Sequence, residues 1–275
     1  MMVQINTNFI TYSIVESTGI RVTSKIDSNG VYIRPTDLPY GQGFSILVSQ
    51  GWRNITAEFN PDSFSAHLIK TMGISNEEKK ILFSSISLSI ISDNTELVMK
   101  INGIDIDPLE TGSWPNEWNS LTLKLIRIPV IQEELTQNQL EELIIKVGGD
   151  LLSLTLSLLP LEVNKEDQSG RAEGELHRIE SNKYERSPLN RKACIMKHGY
   201  KCKVCEFDFE KVYGNVGKGF IHVHHIIPIS KIDTDYVINP STDLVPVCPN
   251  CHAMLHRNDP PLSIEELKKI MNVHK

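Results

Sequence analysis

The sequence predicts an α+β protein of two domains. An N-terminal mixed β-rich domain spans residues 1–160, a linker spans 161–172, and a C-terminal domain spans 173–275. Three observations predict this. Short runs of β-branched and aromatic residues separated by turn residues fill the stretch from Phe9 to Phe59. All five cysteines fall in the last third, four of them in two CxxC pairs. The formal charge of −6 also divides unevenly: residues 1–164 carry 11 Lys+Arg against 19 Asp+Glu, whereas residues 165–275 carry 17 against 15.

In chain order, Phe9–Val15, Gly19–Ser24, Val31–Arg34 and Phe44–Val48 read as strands, with turns at Asp27-Ser-Asn-Gly30 and Pro39-Tyr-Gly-Gln-Gly43. Phe64–Met72 and Asn76–Ser84 read as helices. Ser75 is the expected N-cap of the second, with Glu77 and Glu78 in its first turn. Ile86–Ile91 fits strand or helix, and Glu96–Ile101 and Ser120–Ile128 return to strands, giving an α+β or barrel-like domain. Gln132–Leu158 reads as one long helix with a potential break at Gly148-Gly149, ended by Pro160. The polar stretch Asn164–Gly170 is the linker. Glu173–Lys197 has helical composition, divided at Pro188, and carries Arg178, Lys183, Arg186, Arg191, Lys192 and Lys197. Cys194 reads as a buried helix residue, and Ser263–Met271 as a capped helix packing on the C-terminal core.

The chemistry concentrates between Cys202 and His256. Cys202-Lys-Val-Cys205 and Cys248-Pro-Asn-Cys251 have the spacing of two knuckles converging on one tetrahedral zinc ion. Four thiolates close such a site, so the histidines imply a second metal. Five of the nine histidines lie between His222 and His256. His252 and His256 are four apart and project from one helix face. His224 and His225 are adjacent on a strand-like run and point to opposite faces, so one can ligate while the other does chemistry. A zinc ribbon that only holds a shape or docks a partner is the bland alternative, and the histidine cluster weighs against it.

This segment resembles the HNH endonucleases, whose ββα-metal core sets a strand, a second strand and a helix around one ion. The resemblance, taken on the colicin-type variant, covers about the last 100 residues. It implies that His224 is the first-strand ligand, His225 the general base, and His252 and His256 the helix ligands. Asp243, in Asp243-Leu-Val-Pro, stands where the family carries asparagine, and its carboxylate can orient the base histidine and raise its pKa. Asn239 and Asn250 are weaker candidates for that role. The implied reaction is metal-assisted phosphodiester hydrolysis, with His225 taking a proton from water. The structural cofactor is Zn2+. Three imidazoles leave the catalytic divalent ion open among Mg2+, Mn2+, Ni2+, Co2+ and Zn2+.

The implied partner is DNA. Arg186, Arg191, Lys192 and Lys218 are the expected DNA-binding residues, with a solvated helix face bearing acidic partners as the alternative. The domain combination is similar to modification-dependent restriction endonucleases, McrA-like in their nuclease part, which serve restriction and antiviral defence. There the front domain reads a modified base, often flipped into an aromatic pocket. Trp52, Trp114, Trp118, Tyr32 and Tyr40 are candidates for such a cage, although core packing is the commoner fate of such residues. The acidity of the front half favours caution, and a ligand-sensing front domain is the competing reading. A double-strand break by a one-metal site needs a homodimer or two successive nicks. The sequence has no apolar run of membrane-spanning length and no basic-then-apolar start, and the odd cysteine count argues against disulfides; both point to a cytoplasmic metalloprotein.

Overall fold

Alternation of apolar and polar residues builds the N-terminal sheet. The computed structural model describes residues 5–128, 135–159, 187–226, 237–258 and 260–273. They fall into two units, Met1–Leu161 and Glu162–Lys275. The expected linker and the first half of the basic helix, including Arg186, lie outside the described residues.

In the first unit, seven strands run β1 (Val22–Asp27), β2 (Gly30–Pro35), β3 (Phe44–Gln50), β4 (Ile55–Pro61), β5 (Thr95–Ile101), β6 (Ile104–Asp105) and β7 (Leu121–Arg127). They form one antiparallel sheet in the order β1-β2-β3-β4-β7-β5-β6. Its two ends do not pair, so the sheet is open and not barrel-like. Register puts Val31 opposite Val48, Ile33 opposite Ile46, Ala57 opposite Leu125, and Met99 opposite Leu123, and all eight are buried. The other face carries Glu58 and Lys124, which form an ion pair at 2.6 Å, and the Ser49–Thr56 hydroxyl pair. An antiparallel sheet with one dry face needs a cover on that face only.

Helix α4 (Gln137–Ser157) supplies much of that cover, packing on β3, β4 and β7. Its N-terminus is fixed by a capping box between Thr136 and Gln139. The helix runs unbroken through Gly148-Gly149, because the pair serves close approach: a Cβ on Gly148 would lie 2.5 Å from Ile33 Cδ1. Its buried hydroxyls are satisfied within the helix, as where Ser153 Oγ donates to the Gly149 carbonyl and Thr155 Oγ1 to that of Leu151.

Three expectations are corrected here. The Phe9–Val15 run is not a strand but part of α1 (Thr7–Thr18). Its β-branched residues favour a strand locally, yet Asn6 caps the Phe9 amide, Gly19 closes the helix at φ 69°, and Ile10, Ile14 and Thr18 make a buried stripe at four-residue spacing. Helix α3 (Glu77–Ser92), which follows α2 (Ala66–Gly73), is capped by Asn76 rather than Ser75 and absorbs Ile86–Ile91. Ser75 instead bonds to the carbonyls of Met72 and Leu158. Finally, Trp114 and Trp118 are core residues: Trp114 meets Phe83 edge-on at 5.1 Å and Trp118 at 5.7 Å. Trp52, 85% exposed, stays on the surface with Arg53 over its ring, and Tyr40 is likewise exposed beside Arg34.

The second unit contains α5 (Pro188–His198), α6 (Phe209–Tyr213), the hairpin of β8 (His222–His225) and β9 (Leu244–Val247), α7 (Pro249–Leu255) and α8 (Ile264–Val273). Its core joins Cys194 and Ile195 of α5 to Val204, Ile221, Val223, Leu244, Val247, Leu255, Ile264 and Leu267. Helix α8 begins with Ser263 and Glu266 capping each other, as the sequence expects. Among the described residues no helix is long and apolar enough to cross a membrane.

Candidate metal centres and active site

The first knuckle is a tight turn. Cys202 donates its N–H to the Phe207 carbonyl, Glu206 takes a positive φ of 63°, and the Lys203 N–H reaches the Pro246 carbonyl of β9. The second knuckle opens α7, where Cys248 is the N-cap and its sulfur accepts from the Cys251 N–H at 3.4 Å. The Sγ atoms of Cys202, Cys205, Cys248 and Cys251 all lie within 4.8 Å of one another, and Cys205 and Cys248 are 3.7 Å apart. Four sulfurs about 2.3 Å from a tetrahedral ion stand about 3.8 Å apart, so the donor set fits zinc. The electrostatics agree. Burial, with the neighbouring thiols, pushes the Cys251 thiol up, and burial also raises Cys248. For Cys202 burial opposes ionisation, but the N–H groups of Cys205, Cys248 and Val204 outweigh it and hold the thiol below its ordinary value. Such crowding of ionisable sulfur calls for a cation.

A second group lies on the same helix. Strand β8 sends His224 toward α7, where one helical turn separates His252 from His256. Their ligand nitrogens lie within 4.8 Å of one another, and ring centroids are 5.4 Å (His224–His252), 5.0 Å (His224–His256) and 5.0 Å (His252–His256) apart. His224 is buried, His252 half-buried and His256 exposed, so the cluster opens to solvent on one side. Burial first, then the neighbouring histidines, pushes His224 down to about 3 and His252 down to about 4. Both rings are therefore neutral at physiological pH, with lone pairs available to a divalent ion.

Those two shifts carry a pH prediction. Unfolded histidine titrates near about 6.5, so between that pH and the depressed native values the unfolded chain binds more protons. In protein lacking an ion at the histidines, the second unit loses stability as pH falls through that window. Urea midpoints measured across it check this, and His224→Leu flattens the slope.

His225 is half-buried and faces the side of β8 opposite to His224. It pairs with Leu244, and the next amide, Ile226 N–H, donates to the Asp243 carbonyl at 2.8 Å. Asp243 thus sits at the end of the same ladder. Its carboxylate accepts from the Asn239 N–H at 2.7 Å and the Thr242 hydroxyl at 2.8 Å, tying the turn that enters β9. That turn is also held from α5, where Lys197 Nζ and His198 Nε2 both donate to the Ser241 carbonyl. Sequence reading assigned His198 no role; the contact across 43 positions is tertiary and leaves no local signal.

Of the expected DNA-binding residues, Lys218 is exposed just before β8. Lys192 is half-buried on α5. Arg191 spends part of its guanidinium on the fold, donating from Nη2 to the Ile221 carbonyl at 2.8 Å. His222, which sequence reading placed in the cluster without a function, has its Nδ1 3.1 Å from His252 Nδ1.

A strand bearing adjacent histidines, a second strand and a helix bearing two more make up the ββα-metal arrangement that the resemblance to HNH domains implies. Residues 202–258 match the HNH endonuclease family, and the C-terminal unit carries that domain. The chain is 28% identical over 138 residues to the Type IV methyl-directed restriction enzyme EcoKMcrA of Escherichia coli strain K12, and the HNH domain is McrA-like. That match covers 48% of this chain and 48% of the relative, so the chain spans about half the length of the protein it resembles. No solved structure matches the chain.

Proposed function

We propose that the protein is a metal-dependent DNA endonuclease of the restriction type, whose N-terminal domain directs it to modified DNA. The convergence of His224, His252 and His256 beside His225 carries the catalytic half of this reading. His224, His252 and His256 would hold a divalent ion, which would supply Lewis-acid stabilisation of the charge developing on the phosphate. On the other face of β8, His225 accepts a proton from the attacking water. Asp243, at the adjoining end of the ladder, orients that ring by holding the turn against it. Exposed Lys218 and half-buried Lys192 bind the phosphate backbone, a contact that positions the duplex without reading its sequence.

Selectivity falls to the first unit. The relative's description as methyl-directed supports modified DNA as the target. Since Trp114 and Trp118 are committed to the core, the expected cage residues that keep exposed aromatic surface for a base are Trp52 and Tyr40, each with an arginine over its ring, while Tyr32 is half-buried. Incubation of the full chain with plain, 5-methylcytosine and 5-hydroxymethylcytosine plasmids and manganese tests the proposal. Preferential cutting of one modified substrate is expected. Equal cutting of all three would leave the nuclease standing and make the front domain a sensor of something else, and no cutting would reject the nuclease.

A further inference from the structure

His222 is the one described histidine of the cluster that the proposed chemistry does not use. On β8 it shares the face of His224, two residues on, and so also points toward α7. It lies outside the set of three whose nitrogens converge, yet its ring meets that of His252 edge-on, with centroids 5.3 Å apart, an interplanar angle of 88° and Nδ1 to Nδ1 at 3.1 Å. Two imidazole nitrogens at that distance share one proton: one donates and the other presents a lone pair. A histidine that ligates through Nε2 must keep its lone pair there, which leaves its proton on Nδ1. In His252, Nδ1 is the atom that faces His222.

We propose that His222 is a positioning residue for the histidine metal site, accepting the Nδ1 proton of His252 and so aiming His252 Nε2 at the ion shared with His224 and His256. Metal-bound histidines depend on such a partner to set tautomer and ring angle, and it is usually a carboxylate or a carbonyl. Here a neutral imidazole does it. His222 is itself held in place: it pairs with Val247 of β9, its ring tilts against Phe220 at 6.0 Å, and Arg191 fastens the preceding carbonyl. The pair therefore links the strand to the helix on the side of the cluster away from exposed His256.

The inference rests on the reading of His224, His252 and His256 as ligands, and its test keeps the two separable. Zinc-loaded full-length protein is titrated with Co2+, followed by visible absorption and calorimetry, and its imidazole nitrogens are examined by long-range 1H–15N NMR. In the wild type, His252 is protonated on Nδ1. His222→Leu, which removes the acceptor, weakens the second ion by about 10–100-fold and scrambles that tautomer. His222→Asn, whose Oδ1 accepts from the same direction, restores the tautomer and most of the affinity. Unchanged Co2+ affinity in His222→Leu overturns the inference, as does a wild-type His252 protonated on Nε2. A cobalt spectrum that differs between wild type and His222→Asn overturns it too, since His222 would then be a ligand. Wild-type protein that takes no ion at the histidines overturns the ligand reading along with it.

Discussion

His225→Ala is expected to lower the rate of plasmid cleavage by about 10²–10⁴-fold, the usual contribution of a positioned general base. The geometry sets the side effects of this change as well as its size. His225 faces away from His224, so its removal takes nothing from the three-imidazole cluster. Its strand stays paired through the backbone register with Leu244, and the cysteine site lies at the other end of α7 and on the first knuckle. The variant therefore keeps its zinc, its second ion and its melting profile while losing turnover. Steady-state cleavage with metal content measured on the same sample checks this. A variant that cuts at the wild-type rate would remove His225 from the reaction, and one that unfolds would make it structural.

Cys202→Ser has an equally large effect of a different kind. A structural zinc contributes about 10–16 kcal/mol to a small domain, as much as or more than the whole net stability of a typical fold. The second unit leans on that contribution. Its core is short on large side chains and counts Cys202, Cys248 and Cys251 among its buried members, and the knuckles hold both the Pro246 carbonyl of β9 and the start of α7. Loss of one thiolate is expected to release zinc, unfold the second unit and scatter the histidines. The seven-stranded sheet of the first unit has a separate core and retains its protection. Hydrogen exchange resolves the two units: protection lost across 187–273 and kept across β2, β3, β4 and β7 is the expected pattern, and protection kept throughout would show that the zinc is dispensable.

The cysteine and histidine clusters are legible in the sequence because their chemistry depends on short spacings: thiols three positions apart, helix histidines four apart, and strand histidines adjacent. Sheet strands such as β2 and β3 are legible through alternation. Legibility ends where tertiary contacts outweigh local preference. The run Phe9–Val15 has strand-like composition, and only the caps Asn6 and Gly19, with burial of Ile10 and Ile14 at helical spacing, make it α1. Alternation alone puts His222 on the face of His224, but its meeting with His252 depends on how α7 lies against the hairpin. The same holds for Arg191, which reads as a free cation until the Ile221 carbonyl is found beneath it. Tryptophan composition likewise does not separate a cage from a core: Trp114 packs edge-on between Phe83 and Trp118 in the interior, while Trp52 stays outside.

The central claim is that sulfur and imidazole hold two separate ions within one small domain, and counting metal in the intact chain by native mass spectrometry tests it most directly. Wild-type protein supplied with zinc and manganese is expected to hold two ions. His256→Ala should then hold one, retained by Cys202, Cys205, Cys248 and Cys251. A wild-type chain saturating at a single ion, or a His256→Ala chain that still binds two with unchanged affinity, would contradict it.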